Sequence, residues 1–137
     1  GPEMMRAAKE ACYKGTKLLG VTVLTSMNDT TLEQVGQSVP ARDQVVRLAG
    51  LAQDCGLDGV VCSSHEIDAI RAACGEDFVL MVPGIRPKGS AVQDQKRVLT
   101  PKEALDKGAT HLVIGRPITG ADDPGAAVRK ILEEAGL

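Results

Sequence analysis

Aromatic side chains are nearly absent from this chain of 137 residues, which has one Phe, one Tyr and no Trp. Because bases stack on aromatic rings, this composition weighs against a module for single-stranded nucleic acid. The net charge is only −2, from 16 basic and 18 acidic residues, so no global field favours nucleic acid or an anionic membrane. Any anion site must therefore be local.

Metal-ligand spacings and membrane-length apolar runs are also missing. The 4 cysteines form no C-x-x-C pair, and only 2 histidines could complete a metal set. Cys55 and Cys62 fall within apolar runs, which predicts buried reduced thiols and a cytoplasmic protein. No run approaches the roughly 20 residues of a membrane span, and the first residues lack the basic and apolar regions of a signal peptide. We therefore expect no structural zinc site and no membrane span.

What the sequence does contain is an alternation of strand and helix signals. Nearly continuous apolar runs, typical of parallel strands covered on both faces, occur at Leu18–Leu24, Gly59–Cys62, Phe78–Val82 and His111–Ile114. Helices are predicted for residues 1–14 and Arg42–Cys55, from a cap at Ser63–Glu66 through Ala73, from the capping box beginning at Thr100, and from Asp123 onward. The class is α/β, either a small open sheet or part of a closed barrel. The first helix has no strand before it, so the chain is expected to start within a fold.

Three apolar runs lead into polar or glycine-containing segments. Ile114 is followed by Gly115 and Arg116, and the other two runs lead into Thr25-Ser26-Met27 and Pro83-Gly84-Ile85-Arg86-Pro87. Glycine lets backbone N–H groups approach an anion, and the arginine fork matches phosphate oxygens. Because α/β folds bind ligands at the carboxyl ends of their strands, the pattern predicts a site for a phosphorylated small molecule.

Each of these residues also has a structural interpretation. Arg116 could be a surface arginine, Arg86 and Gln95 could belong to a solvated loop, and Thr25 could cap the following turn. His65 follows a strand on the expected binding face and His111 begins a strand at the opposite face, and neither is assigned a role.

Four motifs in order resemble those of bacterial orotidine 5′-phosphate decarboxylases. They are Thr22-Val23-Leu24-Thr25-Ser26-Met27, Gly56-Leu57-Asp58-Gly59-Val60-Val61-Cys62-Ser63, Pro83-Gly84-Ile85-Arg86-Pro87 and Ile114-Gly115-Arg116-Pro117-Ile118-Thr119. The resemblance implies a (β/α)8 TIM barrel, of which residues 1–137 supply the C-terminal half with strands five to eight. It also implies decarboxylation of orotidine 5′-monophosphate to UMP without metal or cofactor, in a homodimer that shares an aspartate between subunits.

The resemblance assigns binding residues to this chain but no catalytic ones. Thr25 would contact the pyrimidine and Pro83 would line the pocket, Arg86 and Gln95 would lie on a mobile loop that closes over the phosphate, and Gly115 with Arg116 would form the fixed phosphate site. The family's catalytic array, K-x-D-x-K-x-x-D, is not in this sequence. The isolated segment is therefore expected to be inactive and to need its missing N-terminal half-barrel.

Two alternatives remain open at this stage. The chain could be a non-catalytic phosphate-binding half-barrel that folds alone or self-associates, or part of a related phosphosugar decarboxylase of the same barrel family. The Thr25-Ser26 motif and the loop carrying Arg86 and Gln95 favour the orotidine branch over the phosphosugar branch.

Overall fold

Strands and helices alternate along residues 1–89 and 99–137, the parts of the chain that the computed structural model describes. The elements are α1 (Pro2–Ala11), β1 (Leu19–Val21), α2 (Asp29–Gln34), α3 (Ala41–Asp54), β2 (Gly59–Val61), α4 (Ile67–Cys74), β3 (Val79–Val82), α5 (Pro101–Asp106), β4 (His111–Leu112), α6 (Arg116–Thr119) and α7 (Pro124–Ala135). All four predicted strands are confirmed, each shorter than its apolar run. The short helices α2 and α6 were not predicted.

The strands form one parallel sheet in the order β1-β2-β3-β4. Val21 pairs with Val61, Val61 with Met81, and Met81 with His111, so these four residues form one row across the sheet. Because all strands run the same way, their carboxyl ends meet at a single edge. The alternation therefore produces the parallel α/β arrangement that the sequence predicted.

Helix boundaries follow the capping signals, with one correction. Thr100 and Glu103 form the predicted capping box of α5, and Asp123 accepts a hydrogen bond from the Ala126 N–H at the start of α7. The predicted cap within Ser63–Glu66 is right in position, since Glu66 is the N-cap of α4, but it makes no side-chain capping bond and the helix begins only at Ile67. The Ser63 hydroxyl instead accepts a bond from the His65 N–H at 3.3 Å, which ends the strand segment in a turn.

The two faces of the sheet are covered unequally. On the helix-facing side, Val60, Leu80 and Val82 are completely buried and contribute to the core beneath α3, α4 and α5. On the other side Val21 is 66% exposed. Val79 on that side is only 5% exposed, so the described residues cover the second face in part, and the expectation of strands covered on both faces stays a prediction for the complete fold.

Side-chain hydrogen bonds stabilise the loops at the amino ends of the strands. The Arg71 guanidinium, 8% exposed, donates through Nη1 to the carbonyls of Gly75, Glu76 and Phe78 at 2.6–3.0 Å and through Nε and Nη2 to Gly108 at 3.2 and 2.7 Å. These bonds join α4 to the loops that precede β3 and β4.

A second side-chain link ties α1 to the same end of the sheet. Asp58 accepts from Lys9 Nζ at 2.6 Å and from the Leu18 N–H at 2.7 Å. These bonds hold the pKa of the Asp58 carboxyl below its ordinary value of 3.8.

The predicted burial of the two cysteines in apolar runs is confirmed. Cys55 and Cys62 are buried, and the structure contains no disulfide among the described residues. None of the helices in residues 1–89 and 99–137 has the length and apolarity of a membrane span.

Candidate functional site

The carboxyl edge of the sheet carries the described residues of the predicted site. Thr25 follows β1, Pro83 and Arg86 follow β3, and Gly115 and Arg116 follow β4. Since β3 and β4 are neighbours, their two segments leave the sheet side by side. Thr25 leaves from the other edge strand, three inter-strand spacings from β4, which is about 14 Å at roughly 4.8 Å per spacing. Gln95 lies outside the described residues.

Gly115 and Arg116 form the junction between β4 and α6. Gly115 is the N-cap of α6, and its carbonyl accepts bonds from the N–H groups of Ile118 and Thr119 at 2.8 and 3.0 Å. A Cβ built on Gly115 would meet nothing within 4 Å, so the space in front of this backbone is open. Arg116 is the first helical residue and is exposed, with Pro117 behind it. An incoming anion can therefore reach both the backbone here and the guanidinium.

Arg86 differs from Arg116 in being buried, with only 7% of its surface exposed. Its N–H donates to the Leu99 carbonyl at 3.0 Å, and its Nη1 donates to the Ile85 carbonyl at 2.9 Å. The backbone bond joins the two stems of the segment that connects β3 to α5. The interpretation of Arg86 as a residue of a solvated loop is therefore wrong, because both its backbone and its side chain are engaged at the base of that segment.

The backbone between β3 and Arg86 makes a turn that requires glycine. Gly84 has a φ of +76°, in the left-handed region that residues with a Cβ seldom adopt. Ile85, next in the chain, is completely buried. This combination fixes the direction in which the chain leaves β3 and brings Arg86 back against the protein.

Thr25 lies in a turn that is closed by a bond from the Met27 N–H to the Leu24 carbonyl at 2.9 Å. The strand before it is locked to β2, because the Thr22 N–H and Oγ1 both donate to the Val61 carbonyl. The helix that follows is capped by Asn28, which accepts from the Thr31 N–H at 3.0 Å. Asn28 therefore caps α2, and Thr25 does not. Thr25 itself is half-buried at the carboxyl edge.

Sequence reasoning missed a buried polar segment that follows β2. Ser63, Ser64 and Glu66 are 0%, 1% and 2% exposed. Within the described part of the chain, Ser64 Oγ has no hydrogen-bond partner. The run Ser63-Ser64-His65-Glu66 was visible in the sequence, but its resemblance to a helix cap concealed its place at the same edge as the other site residues.

Acidic, cysteine and histidine side chains do not gather into a metal centre anywhere in residues 1–89 and 99–137. The described site consists of a threonine, a proline, a glycine and two arginines, with the serine segment between them in the strand order. Such a set can bind an anion and position a polar ligand by hydrogen bonds.

Comparison with known proteins assigns the chain to a family. A family model described as "Orotidine 5'-phosphate decarboxylase / HUMPS family" matches residues 1–131. The chain belongs to this family. Orotidine 5′-phosphate decarboxylase from Trichlorobacter lovleyi is 52% identical over 140 residues, covering 98% of this chain and 58% of that protein. The protein of the same name from Nitrosococcus oceani is 53% identical over 137 residues, covering 98% and 59%.

A solved structure agrees with this family assignment. Orotidine 5′-phosphate decarboxylase from Lactobacillus acidophilus superimposes with a TM-score of 0.80 at 36% identity, covering 100% of this chain and 60% of that one. The structural relatives are enzymes of the TIM-barrel family, and this chain has their α/β organisation with a parallel sheet. The chain spans about three fifths of the length of the relatives it matches.

Proposed function

We propose that this chain supplies the phosphate-binding and pyrimidine-binding part of an orotidine 5′-phosphate decarboxylase, a carboxy-lyase of pyrimidine biosynthesis that forms UMP and CO2. The observation that carries the proposal is the emergence of the Arg86 and Arg116 segments side by side from β3 and β4. The identity of 52% to a relative with that name supports the choice of substrate over the phosphosugars of related barrels.

The phosphate of orotidine 5′-monophosphate binds at the start of α6 in this proposal. Arg116 offers two parallel N–H donors to phosphate oxygens, and the open space at Gly115 admits the anion to the backbone. Arg86 adds a second positive charge from the neighbouring strand. Because its stem is already tied to Leu99, little order has to be gained on binding. Gln95 is included on the family resemblance alone.

The pyrimidine extends from this phosphate site toward β1. The strand order puts Thr25 about 14 Å from the β4 end, and side chains reaching in from both ends shorten this gap to the length of an extended nucleoside monophosphate. Thr25 then contacts the base through its hydroxyl and backbone, while Pro83 lines the middle of the pocket without a competing N–H donor.

The chemical step needs groups that this sequence does not contain. Loss of the carboxylate leaves a carbanion on the ring, and the lysine and aspartate array that stabilises it in the family is missing from residues 1–137. We therefore place catalysis in an intact barrel whose N-terminal half supplies the array. Binding energy from the remote phosphate contacts is used in the transition state, so the residues of this chain affect the rate as well as the affinity.

The rest of the proposal concerns the intact enzyme. Residues 1–137 form the C-terminal half of one barrel domain, with strands five to eight, and the enzyme is a cytoplasmic homodimer that completes each site with an aspartate from the other subunit. The buried cysteines, which form no disulfide among the described residues, are consistent with a reducing compartment.

Replacing Arg116 with alanine in the intact barrel tests the phosphate site. Two hydrogen bonds to a charged phosphate contribute about 1.5–3 kcal/mol each. The expected loss in kcat/KM is therefore about 10²- to 10⁴-fold. Arg47→Ala is the matched control, since Arg47 is an exposed arginine on the outer helix α3. An Arg116→Ala enzyme with the kcat/KM of the control would remove Arg116 from the phosphate site.

Incubation with orotidine 5′-monophosphate separates this function from a non-catalytic binding module. The 137-residue chain alone is expected to release no CO2 above the uncatalysed rate, and the intact barrel is expected to release it. Phosphate binding by an intact barrel that does not decarboxylate the substrate would favour the binding module.

A further inference from the structure

The chain leaves β3 through residues 83–89, here called the β3 stem, and a helix from elsewhere in the sequence holds the far end of this stem. The Lys88 N–H donates to both carboxylate oxygens of Glu134 at 3.2 Å. Glu134 lies in the last turn of α7, 46 residues further along the chain. The residue after Lys88 is Gly89, whose φ of +80° changes the direction of the backbone. Glu134 therefore fixes the last residue of the stem before this turn.

The backbone between Lys88 and Arg86 is stiff. Pro87 lies between these two residues and is buried, and its ring fixes φ at about −65°. A residue that precedes proline is itself restricted to extended conformations, which here applies to Arg86. The Arg86 N–H is also bound to the Leu99 carbonyl at 3.0 Å. A displacement at Lys88 is therefore transmitted to Arg86, because the intervening backbone has little freedom to absorb it.

The opposite end of the same connection, which leads into α5, is held by its own helix. The N–H and the hydroxyl of Thr100 donate to the Glu103 carboxylate at 2.9 and 2.7 Å in the capping box. These bonds hold the pKa of the Glu103 carboxyl below its ordinary value of 4.5, and the charge of Lys88 contributes a smaller lowering. The Lys88 side chain thus lies near the start of α5. The start of α5 is anchored locally, whereas the β3 stem depends on α7.

The position of Glu134 is unfavourable for α7 itself. The C-terminal end of a helix carries a partial negative charge, so cations are stabilising there and carboxylates are not. The last turn of α7 contains Glu133 and Glu134 and no basic residue. Glu133 is exposed, whereas Glu134 is half-buried and bonded to the β3 stem. The stability of α7 therefore does not account for a carboxylate at Glu134, and the bond to Lys88 does.

We propose that Glu134 is a positioning residue for Arg86, because its carboxylate holds the Lys88 backbone and thereby keeps Arg86 in place for the substrate phosphate. This inference rests on the proposed function, in which Arg86 and Arg116 contact the phosphate from neighbouring strands. Glu134 acts through the stem and makes no contact with the substrate. Without Glu134, part of the binding energy of the phosphate has to be used to order the stem.

Ligands that differ only by the phosphate test this role in the intact barrel. Glu134→Ala is expected to lower kcat/KM for orotidine 5′-monophosphate about three- to tenfold, mainly through a higher KM, since the cost of ordering the stem falls on binding. For orotidine, which lacks the phosphate, kcat/KM should be unchanged. UMP should bind about three- to tenfold more weakly, and uridine should bind as before. Equal effects on phosphorylated and unphosphorylated ligands would overturn the proposal, because a general loss of stability acts on both.

Two further variants separate the position of the stem from the charge of the carboxylate. Glu134→Gln removes the charge but keeps an oxygen that accepts from the Lys88 N–H, so it should restore kcat/KM to within about twofold of the unsubstituted enzyme. Glu133→Ala removes an exposed carboxylate from the same turn of α7 and should leave kcat/KM unchanged. If Glu134→Gln is as impaired as Glu134→Ala, the charge of Glu134 is responsible and the proposal is wrong.

Hydrogen exchange at the Lys88 amide measures the anchor without any substrate. Exchange is expected to quicken about three- to tenfold in Glu134→Ala and to stay the same in Glu133→Ala. Unchanged exchange in Glu134→Ala would overturn the positioning role and leave the proposed function standing. An intact barrel that releases no CO2 from orotidine 5′-monophosphate contradicts the proposed function, and the exchange and UMP measurements then still decide whether Glu134 positions the stem.

Discussion

The two ends of the sheet are stabilised by different means. At the amino ends of the strands, Arg71 donates to four carbonyl groups and Asp58 joins Lys9 to the Leu18 backbone. At the carboxyl ends, Ser64 Oγ is buried without a partner in the described residues, and Gly115 faces open space. Under the proposed function, we therefore expect stabilising contacts at the amino ends and ligand contacts at the carboxyl ends, the division of roles that is typical of parallel barrels. Substitutions at the amino end should change stability, and those at the carboxyl end should change binding.

The largest expected loss of stability follows Arg71→Ala. The substitution removes the donors from the carbonyls of Gly75, Glu76, Phe78 and Gly108, and we expect it to lower the free energy of unfolding by about 3–5 kcal/mol. Urea denaturation followed by circular dichroism measures this change. Arg47→Ala, on the exposed face of α3, should stay within about 0.5 kcal/mol. Equal midpoints for the two variants would contradict a stabilising role for Arg71.

Gly59→Ala is expected to cause the next largest loss of stability. A Cβ on Gly59 would overlap the Val79 carbonyl oxygen, so β2 and β3 must move apart at their amino ends. We expect a loss of about 3 kcal/mol, which urea denaturation also measures. Gly50→Ala is the control with the opposite sign, because Gly50 lies inside α3 with nothing within 4 Å of its Cβ position. It should stabilise the chain by about 0.5–1 kcal/mol. A neutral Gly59→Ala would show that the strands can separate at this pairing without cost.

Asp58 gives the amino end a dependence on pH. Its pKa is lowered in the folded chain by the bonds from Lys9 and Leu18, so the unfolded chain binds the proton more readily. The stabilisation is complete above the unfolded value near 3.8 and is lost as the pH falls through the lower, folded value. We expect Asp58→Asn to lose about 1–2 kcal/mol at neutral pH and progressively less in acid.

Chemical denaturation from pH 6 to pH 2 measures this difference between Asp58→Asn and the unsubstituted chain. Asp106→Asn is the comparison, since Asp106 pairs with Lys102 on an exposed helix face with 59% and 61% of the two side chains accessible. Exposed pairs of this kind contribute little, so this variant should follow the unsubstituted chain at every pH. A difference for Asp58→Asn that does not diminish in acid would contradict the assignment.

The smallest change in stability is expected for a substitution at the carboxyl end of the sheet. Unlike the substitutions above, it should not lower the free energy of unfolding. Ser64→Ala removes a buried hydroxyl that has no partner in the described structure, so stability should be unchanged or should rise by up to about 1 kcal/mol. Ser63→Ala should instead lose about 1 kcal/mol, because Ser63 Oγ accepts a bond from the His65 N–H. A loss at Ser64 as large as that at Ser63 would show that the Ser64 hydroxyl is engaged.

The sequence predicted the four strands and the caps of α5 and α7 because these depend on local chemistry. Apolar runs placed all four strands, and the Thr100 and Asp123 signals placed the starts of α5 and α7. The burial of Arg86 could not be read from the sequence, since it depends on a bond to Leu99, far along the chain. The exposure of Val21 was not predicted for a similar reason, because a continuous apolar run indicates that a strand is buried in the complete fold and not which layer buries it.

The position of the candidate site, like that of the strands, could be predicted in part from the sequence. The residues after β1, β3 and β4 could be chosen because strand ends meet at one edge in any parallel sheet. The buried serines after β2 were passed over, since the same letters are typical of a helix start. The roles assigned to Thr25, Pro83, Arg86, Gln95, Gly115 and Arg116 stay predictions that the binding experiments must test.

The strand order also has a consequence for synthesis of the chain. Among residues 1–89 and 99–137, each strand pairs only with the strand that precedes or follows it along the sequence. Translation adds about 5–20 residues per second, so a βα unit of roughly 30 residues takes roughly 2–6 s to emerge. Helices and local pairings form far faster than that. On the ribosome, this part of the chain can therefore assemble one unit at a time in the direction of translation, with no strand waiting for a partner synthesised much later.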